Sequence, residues 1–308
     1  MRFTPMTHMQ SGEVCFQVEP DHNGVTNGIL SGSFLSGSEH WNYLEFRSPS
    51  RLTTQTYSLE VIQGYTENAR IYIVAGGGGG GASACGGSSG YGGGGGGAGE
   101  VKVLNNVSLY ASRDYTIQVG GGGLGANPCK GVGPTKDGAN GGQSRFYFTP
   151  DLNITADGGE GGFGDSANPE GANGGDSGNG FAGGLDSGVD DGGGGAGASA
   201  DGQNASSGQG GNGGIGVLLN FPYTSPTFSS SGNVGVAGGG GGGSISTRGQ
   251  GQVLYGGGDG ANGSSASDPD SGENHKGAGG GGGSDGSLGG GSGGSGLVVL
   301  MYQTGSCP

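Results

Sequence analysis

The chain has 308 residues, 87 of them glycine, where an ordinary protein carries about 7%. With only 11 prolines and no sustained G-X-Y period it is not a collagen, and with 11 Tyr, 10 Phe and one Trp it holds more apolar material than a disordered chain. The net charge is −14, and no Lys or Arg falls between Arg145 and Arg248, which excludes nucleic acid as a partner.

In chain order, residues 1–10 lack the apolar core of a secretory leader, and no stretch reaches the ~18 apolar residues of a membrane helix. No membrane insertion is expected. Residues 14–18 (VCFQV), 41–46 (WNYLEF) and 57–62 (YSLEVI) read as β-strands separated by Gly, Asn and Ser. Strand-like pieces then recur between glycine blocks: 71–75 (IYIVA), 101–104 (VKVL), 115–119 (YTIQV), 145–148 (RFYF), 152–155 (LNIT), 215–221 (IGVLLNF) and 297–302 (LVVLMY). No segment carries a 3.6-residue apolar period, so almost no α-helix is expected. Because strands interleave with glycine to the end of the chain, the glycine tracts read as excursions from one β-sandwich rather than as a tail. The organisation is a β region over 1–64, for attachment or docking, and a glycine-rich domain over 65–308.

Unbroken glycine runs occupy 76–81, 92–97, 238–243 and 279–283. Elsewhere glycine recurs every third residue: Gly158, Gly161 and Gly164; Gly208, Gly211 and Gly214; Gly277, Gly280, Gly283, Gly286 and Gly289; and Gly290, Gly293 and Gly296. A helix with three residues per turn lines such glycines along one edge. That helix makes no internal hydrogen bonds, so its backbone groups need neighbouring helices, and a bare edge lets backbones come close enough to supply them. The expected fold is therefore all-β, a sandwich of jelly-roll or TNF-like kind whose glycine-rich excursions pack as polyglycine II helices.

Sites for chemistry are absent from the pattern. Three matches to G-x-S-x-G (86–90, 282–286 and 290–294) lead into no helix and have no His and acid to serve them. Matches to G-x-G-x-x-G are followed by no helix, and no Gly-Lys dipeptide exists for a P-loop. His8, His22, His40 and His275 are scattered, and residues 161–165 miss a calcium nonapeptide by one position without tandem copies. Cys15, Cys85, Cys129 and Cys307 have no zinc spacing; three pairings are open to them, and free, buried thiols are the plain reading. Acids dispersed through 151–201 read as a solvated face, with hard cations as the sharper alternative. No enzyme, cofactor or metal site is expected. The binding candidates are the large side chains that interrupt glycine tracts: Tyr91, Phe163, Phe181, Leu185, Leu254 and Tyr255. They either plug gaps in the packing or project from the turns joining glycine helices toward a ligand.

Several of these segments carry a resemblance. A strand runs into polyglycine at 71–81, returns at 98–101, and is followed by 115–123 (YTIQVGGGG), 141–146 (GGQSRF), 211–216 (GNGGIG), 236–243 (VAGGGGGG) and 294–302 (GSGLVVLMY). Over about 65–303 this resembles the glycine-rich domain of structural and tail-fibre proteins of bacteriophages and large viruses. More loosely it is similar to the polyglycine-helix adhesins of T-even-like phages and to the glycine-rich, TNF-like extracellular domain of anaplastic lymphoma kinase. Residues 1–64 depart from the adhesin pattern. The resemblance implies a virion or extracellular protein, a tail-fibre or spike-type adhesin binding a host surface through loops between glycine helices. Its implied partners are other virion or filament subunits, a host cell-surface glycan or outer-membrane protein, and further copies of itself as a homo-oligomer. The alternative is a purely structural subunit, a cement protein or filament without receptor binding.

Overall fold

A computed structural model describes residues 15–19, 28–63, 65–83, 92–127, 136–148, 151–164, 172–188, 191–228, 230–263, 267–284 and 289–303. The strands are β1 (Cys15–Glu19), β2 (Ile29–Ser36), β3 (Glu39–Arg47), β4 (Gln55–Gln63), β5 (Tyr65–Val74), β6 (Val101–Tyr110), β7 (Arg113–Val119), β8 (Ser144–Phe148), β9 (Leu152–Ala156), β10 (Val217–Ser225), β11 (Ser230–Val236) and β12 (Leu297–Gln303). They form a front sheet in the order β1-β4-β7-β8-β9, a middle sheet in the order β2-β3-β12-β5-β6, and a back hairpin β10-β11. All pairings between them are antiparallel. The fold is all-β, as the sequence indicates. β2, β3 and β4 lie in the same two sheets as the strands that follow residue 64.

Burial of apolar side chains on both faces of the middle sheet defines the layers. Phe46, Leu59, Ile71, Ile73, Tyr115, Ile117, Phe146, Val298 and Leu300 fill the space between front and middle sheets. Trp41, Tyr43, Tyr72, Leu297, Val299 and Met301 pack instead against Leu219, Phe221, Tyr223, Val234 and Val236 of the hairpin. β12, central in the middle sheet, is therefore covered on both sides, which is why 297–302 reads as a continuous apolar run without alternation. Glu45 is fully buried in the back layer, where Tyr223 Oη donates to it at 2.9 Å and Thr227 Oγ1 donates to its other oxygen. Burial, then the Glu45 charge, push the Tyr223 phenol far up, so it stays a donor.

β2 and β11 are not apparent from the sequence. β2 (ILSGSFLS) is a half-exposed edge strand, and its Gly32 pairs with Tyr43, whose ring lies where a Cβ would sit. β11 (SSGNVGV) is rich in residues that disfavour strands and is held by its pairing with β10.

The glycine excursions all leave one end of the sandwich. Val74 pairs with Val101 and Leu297, Ser144 with Ala156, and Val217 with Val236, so each strand pair opens there into glycine instead of a tight turn. The segment 76–82 shows how they pack. Gly76, Gly79 and Ala82 donate N–H bonds to the carbonyls of Gly142, Ala139 and Lys136; Gly77 and Gly80 donate to Gly294 and Gly291; Gly78 and Gly81 donate to Gly97 and Gly94. Its carbonyls receive Gly123 and Ala126 on a fourth side, Gly159 and Gly162 on a fifth, and Gly280 and Gly283 on a sixth. Each neighbour is met again every third residue, the period of a threefold polyglycine helix, and the packing is hexagonal. For 76–82, donation goes to antiparallel segments and acceptance comes from parallel ones.

The glycine ladders face the contacts that this geometry needs. A Cβ on Gly290, Gly293 or Gly296 would lie 1.9, 2.1 and 2.1 Å from the carbonyl oxygens of Gly80, Gly77 and Val74. Gly158, Gly161 and Gly164 abut Gly141, Gly138 and Lys136 in the same way. Gly211 and Gly214 abut Gln203 and Ala200, but Gly208 belongs to a turn with a left-handed φ of 79° and has no lattice contact. Gly286 lies outside the described residues.

Candidate functional site

The outermost glycine segments have neighbours on one side only, and side chains take over there as hydrogen-bond partners. Asn140 Oδ1 accepts from Gly161 N–H at 2.9 Å, Asp137 from Gly164 at 2.8 Å, Asp201 from Ala182 at 2.8 Å, Asp176 from Gly183 at 2.8 Å, Asn204 from Leu185 at 2.8 Å and Asp259 from Gly251 at 2.8 Å. Each carboxylate or amide stands in for the carbonyl of a missing neighbour, and the charged ones make the stronger bond. The acidic composition is thus tied to the lattice rim: Glu160, Asp176, Asp186 and Asp201 all accept backbone N–H bonds. Among the described residues no group of three or more His, Cys, Asp or Glu is placed to hold a metal ion. Asp165, Glu170 and Asp190 lie outside them.

Away from the sandwich, buried Asp191 ties turns together. It accepts from Ser244 Oγ at 2.5 Å, Gly208 N–H at 2.7 Å and Ser187 Oγ at 3.3 Å. Ser144 does the same at the sandwich end, donating to Val74 O at 2.8 Å while accepting from Gly120 N–H at 2.9 Å.

The large side chains within the glycine tracts are dispersed over both ends of the lattice. Phe181 closes a turn at the sandwich end, where its N–H meets Ser177 Oγ and its carbonyl accepts from Ser177 N–H. Leu254 and Tyr255 belong to the short 3-10 turn Val253–Tyr255, also at the sandwich end, with Tyr255 O accepting from Gly238. Phe163 and Leu185 lie in the half of the lattice away from the sandwich; Phe163 is partly buried and Leu185 exposed. Tyr91 is outside the described residues, as are Cys85, Cys129, Cys307 and the side chain of Cys15.

One grouping gains company that the sequence did not single out. Val253 and Leu254 are 66% and 67% exposed. The Leu254 carbonyl lies against Gly235, which pairs with exposed Leu218 on the outer face of the back hairpin. Exposed Val253 and Leu254 thus sit on a turn whose backbone meets the hairpin at Gly235, opposite exposed Leu218. Only strand pairing brings Leu218 to that turn, so no local motif marks it.

A titratable group sits at the same junction on the middle sheet. Burial, then the positive charge of Arg47, lower the His275 pKa to about 4, and its backbone is held at a left-handed φ of 64°. The unfolded chain binds a proton near pH 6.5 that the folded chain refuses until about pH 4. The His275 contribution to stability therefore stays level above pH 6.5 and falls as the pH drops through that window. His275→Asn, which keeps a residue tolerant of the left-handed region, should remove about 2 kcal/mol of this acid sensitivity. Urea midpoints at pH 7 and 5 check this: the wild type should lose more than the variant, and equal losses would contradict it.

The family described as a glycine-rich domain matches residues 52–303. No curated protein matches the chain.

Proposed function

The chain belongs to the glycine-rich domain family, and from that premise we propose that it is a non-catalytic recognition protein, an adhesin of tail-fibre or spike type carried on a virion or otherwise outside the cell. Its partners in this reading are other virion subunits and a host-surface glycan or outer-membrane protein. The observation that carries it is the Val253–Leu254 turn: two large apolar side chains face solvent, on a backbone tied into a hydrogen-bonded lattice. Exposed apolar groups on a rigid support suit binding, because little ordering entropy is lost when a partner arrives. Repetition on a particle would add avidity. The virion setting follows from the resemblance of the glycine-rich segments to those of phage and large-virus proteins.

Labelled protein should bind host cells saturably, discriminate between strains, and lose binding on Val253→Ser with Leu254→Ser. Unchanged binding by that double variant, or no strain dependence, would remove the adhesin reading. Exposed Leu218, whose strand partner Gly235 abuts the turn, favours a second reading, a structural subunit that buries these apolar side chains against another copy. That reading predicts filaments or shells in negative stain, abolished by Leu218→Ser, with no affinity for cells.

A further inference from the structure

At the end of the sandwich opposite the lattice, a cavity of about 310 Å³ opens between the two sheets. β6 ends there at Tyr110, β7 begins at Arg113, β8 ends at Phe148, and Phe148 pairs with Leu152 of β9. Its floor includes Val107, Leu152 and the ring of buried Tyr115. Its wall is a preset ion pair. The Arg113 guanidinium carbon lies 4.9 Å from the Tyr110 ring centre and 4.8 Å from that of Phe148, while Nη1 donates to Asp151 Oδ2 at 3.1 Å. Two rings and a carboxylate fix the guanidinium plane, so little rotamer entropy is left to lose on binding.

Among the described residues, the polar groups of this wall are not used up. Of the five guanidinium N–H groups, Asp151 takes one, and among the described residues no other hydrogen-bond partner takes the rest. Asp151 Oδ1 is likewise without a partner among them. The Tyr115 hydroxyl accepts from Tyr110 N–H at 3.0 Å, and burial, its main influence, raises its pKa, so it keeps its proton. A donor edge and an acceptor oxygen thus lie side by side above an apolar floor, next to the 42% exposed ring of Tyr110. The ion pair is neutral as a unit, which disfavours a charged ligand.

We propose that this cavity is a binding site for a neutral hexose-type sugar unit. Adjacent hydroxyls of such a ring, each both donor and acceptor, match Asp151 Oδ1 and the open edge of Arg113, and its C–H face matches the aromatic and aliphatic surfaces. At about 310 Å³ the cavity is at the small end of ligand pockets, room for one ring and not for a long oligomer. The site is separate from the Val253–Leu254 turn and does not depend on the function proposed for it.

The test is saturation-transfer NMR on the full chain with methyl glycosides of glucose, galactose, mannose and N-acetylglucosamine, and with methyl glucuronide as the charged comparison. At least one neutral glycoside should bind at millimolar concentration. Asp151→Asn should weaken it about tenfold, and Tyr110→Ser should abolish transfer to the ring C–H protons, with both variants melting as the wild type does. The Val253→Ser, Leu254→Ser variant should bind the sugar normally, which keeps this result apart from the cell-binding experiment. No transfer from any neutral glycoside at tens of millimolar, binding of the glucuronide alone, or undiminished binding in both cavity variants would overturn the proposal.

Discussion

Gly80→Ala is expected to disrupt the lattice, and with it the chain's cooperative unfolding. A Cβ at Gly80 would lie 2.0 Å from the Gly281 carbonyl oxygen and 2.5 Å from its carbon. The obstacle is backbone, fixed by its own bonds to Asp270 and Gly291, and has no rotamer to change. Relief requires two segments to separate by more than an ångström. That separation breaks or lengthens the bonds from Gly280 N–H to Gly78 O at 3.0 Å and from Gly283 N–H to Gly81 O at 2.8 Å. Overpacking costs about 1–3 kcal/mol, and each lost bond adds about 1 kcal/mol. The sum, roughly 3–5 kcal/mol, is a large part of a typical total of 5–15 kcal/mol. Gly37→Asn is the matched comparison: the site has a left-handed φ of 66° and nothing within 4 Å, so the change should stay within about 1 kcal/mol. Urea midpoints decide it, and equal midpoints for the two variants would contradict a close-packed interior.

Phe221→Ala should be comparably damaging for a different reason. The ring is fully buried between the middle sheet and the hairpin, 5.3 Å from Tyr72, 5.7 Å from Tyr223 and 6.1 Å from Phe228. Truncation should cost about 3–5 kcal/mol through lost burial and the cavity left behind. Because β10 and β11 lead directly into glycine segments at Gly216 and Ala237, loosening the hairpin should also raise amide exchange at Gly239 and Gly240. A variant with unchanged melting and exchange would mean that the third layer is dispensable.

The sequence speaks plainly where one residue type answers one geometric demand. Strands at 57–62 and 115–119 alternate because one face meets the core, and glycines at 290, 293 and 296 recur because each abuts the same neighbour. It is silent where the cause is long-range. β11 is a strand only because β10 lies beside it, and Gly208 continues a ladder in sequence while serving a turn in space. The rim acids look like ordinary solvated charge until backbone N–H groups of distant segments are seen pointing at them. Of the six binding candidates, Leu254 abuts Gly235, the strand partner of Leu218, whereas Phe163 and Phe181 occupy different ends of the lattice. The Arg113 cavity draws on four strands and has no local motif at all.

Native-state amide hydrogen exchange tests the glycine lattice most directly. The N–H groups of Gly78, Gly80, Gly96, Gly240 and Gly282 each bond to the carbonyl of a segment distant in sequence. They should exchange orders of magnitude slower than a random coil, close to the limit set by global unfolding. Random-coil rates at these glycines, with β4, β5 and β12 protected, would leave a sandwich with loose glycine loops and contradict the packed lattice.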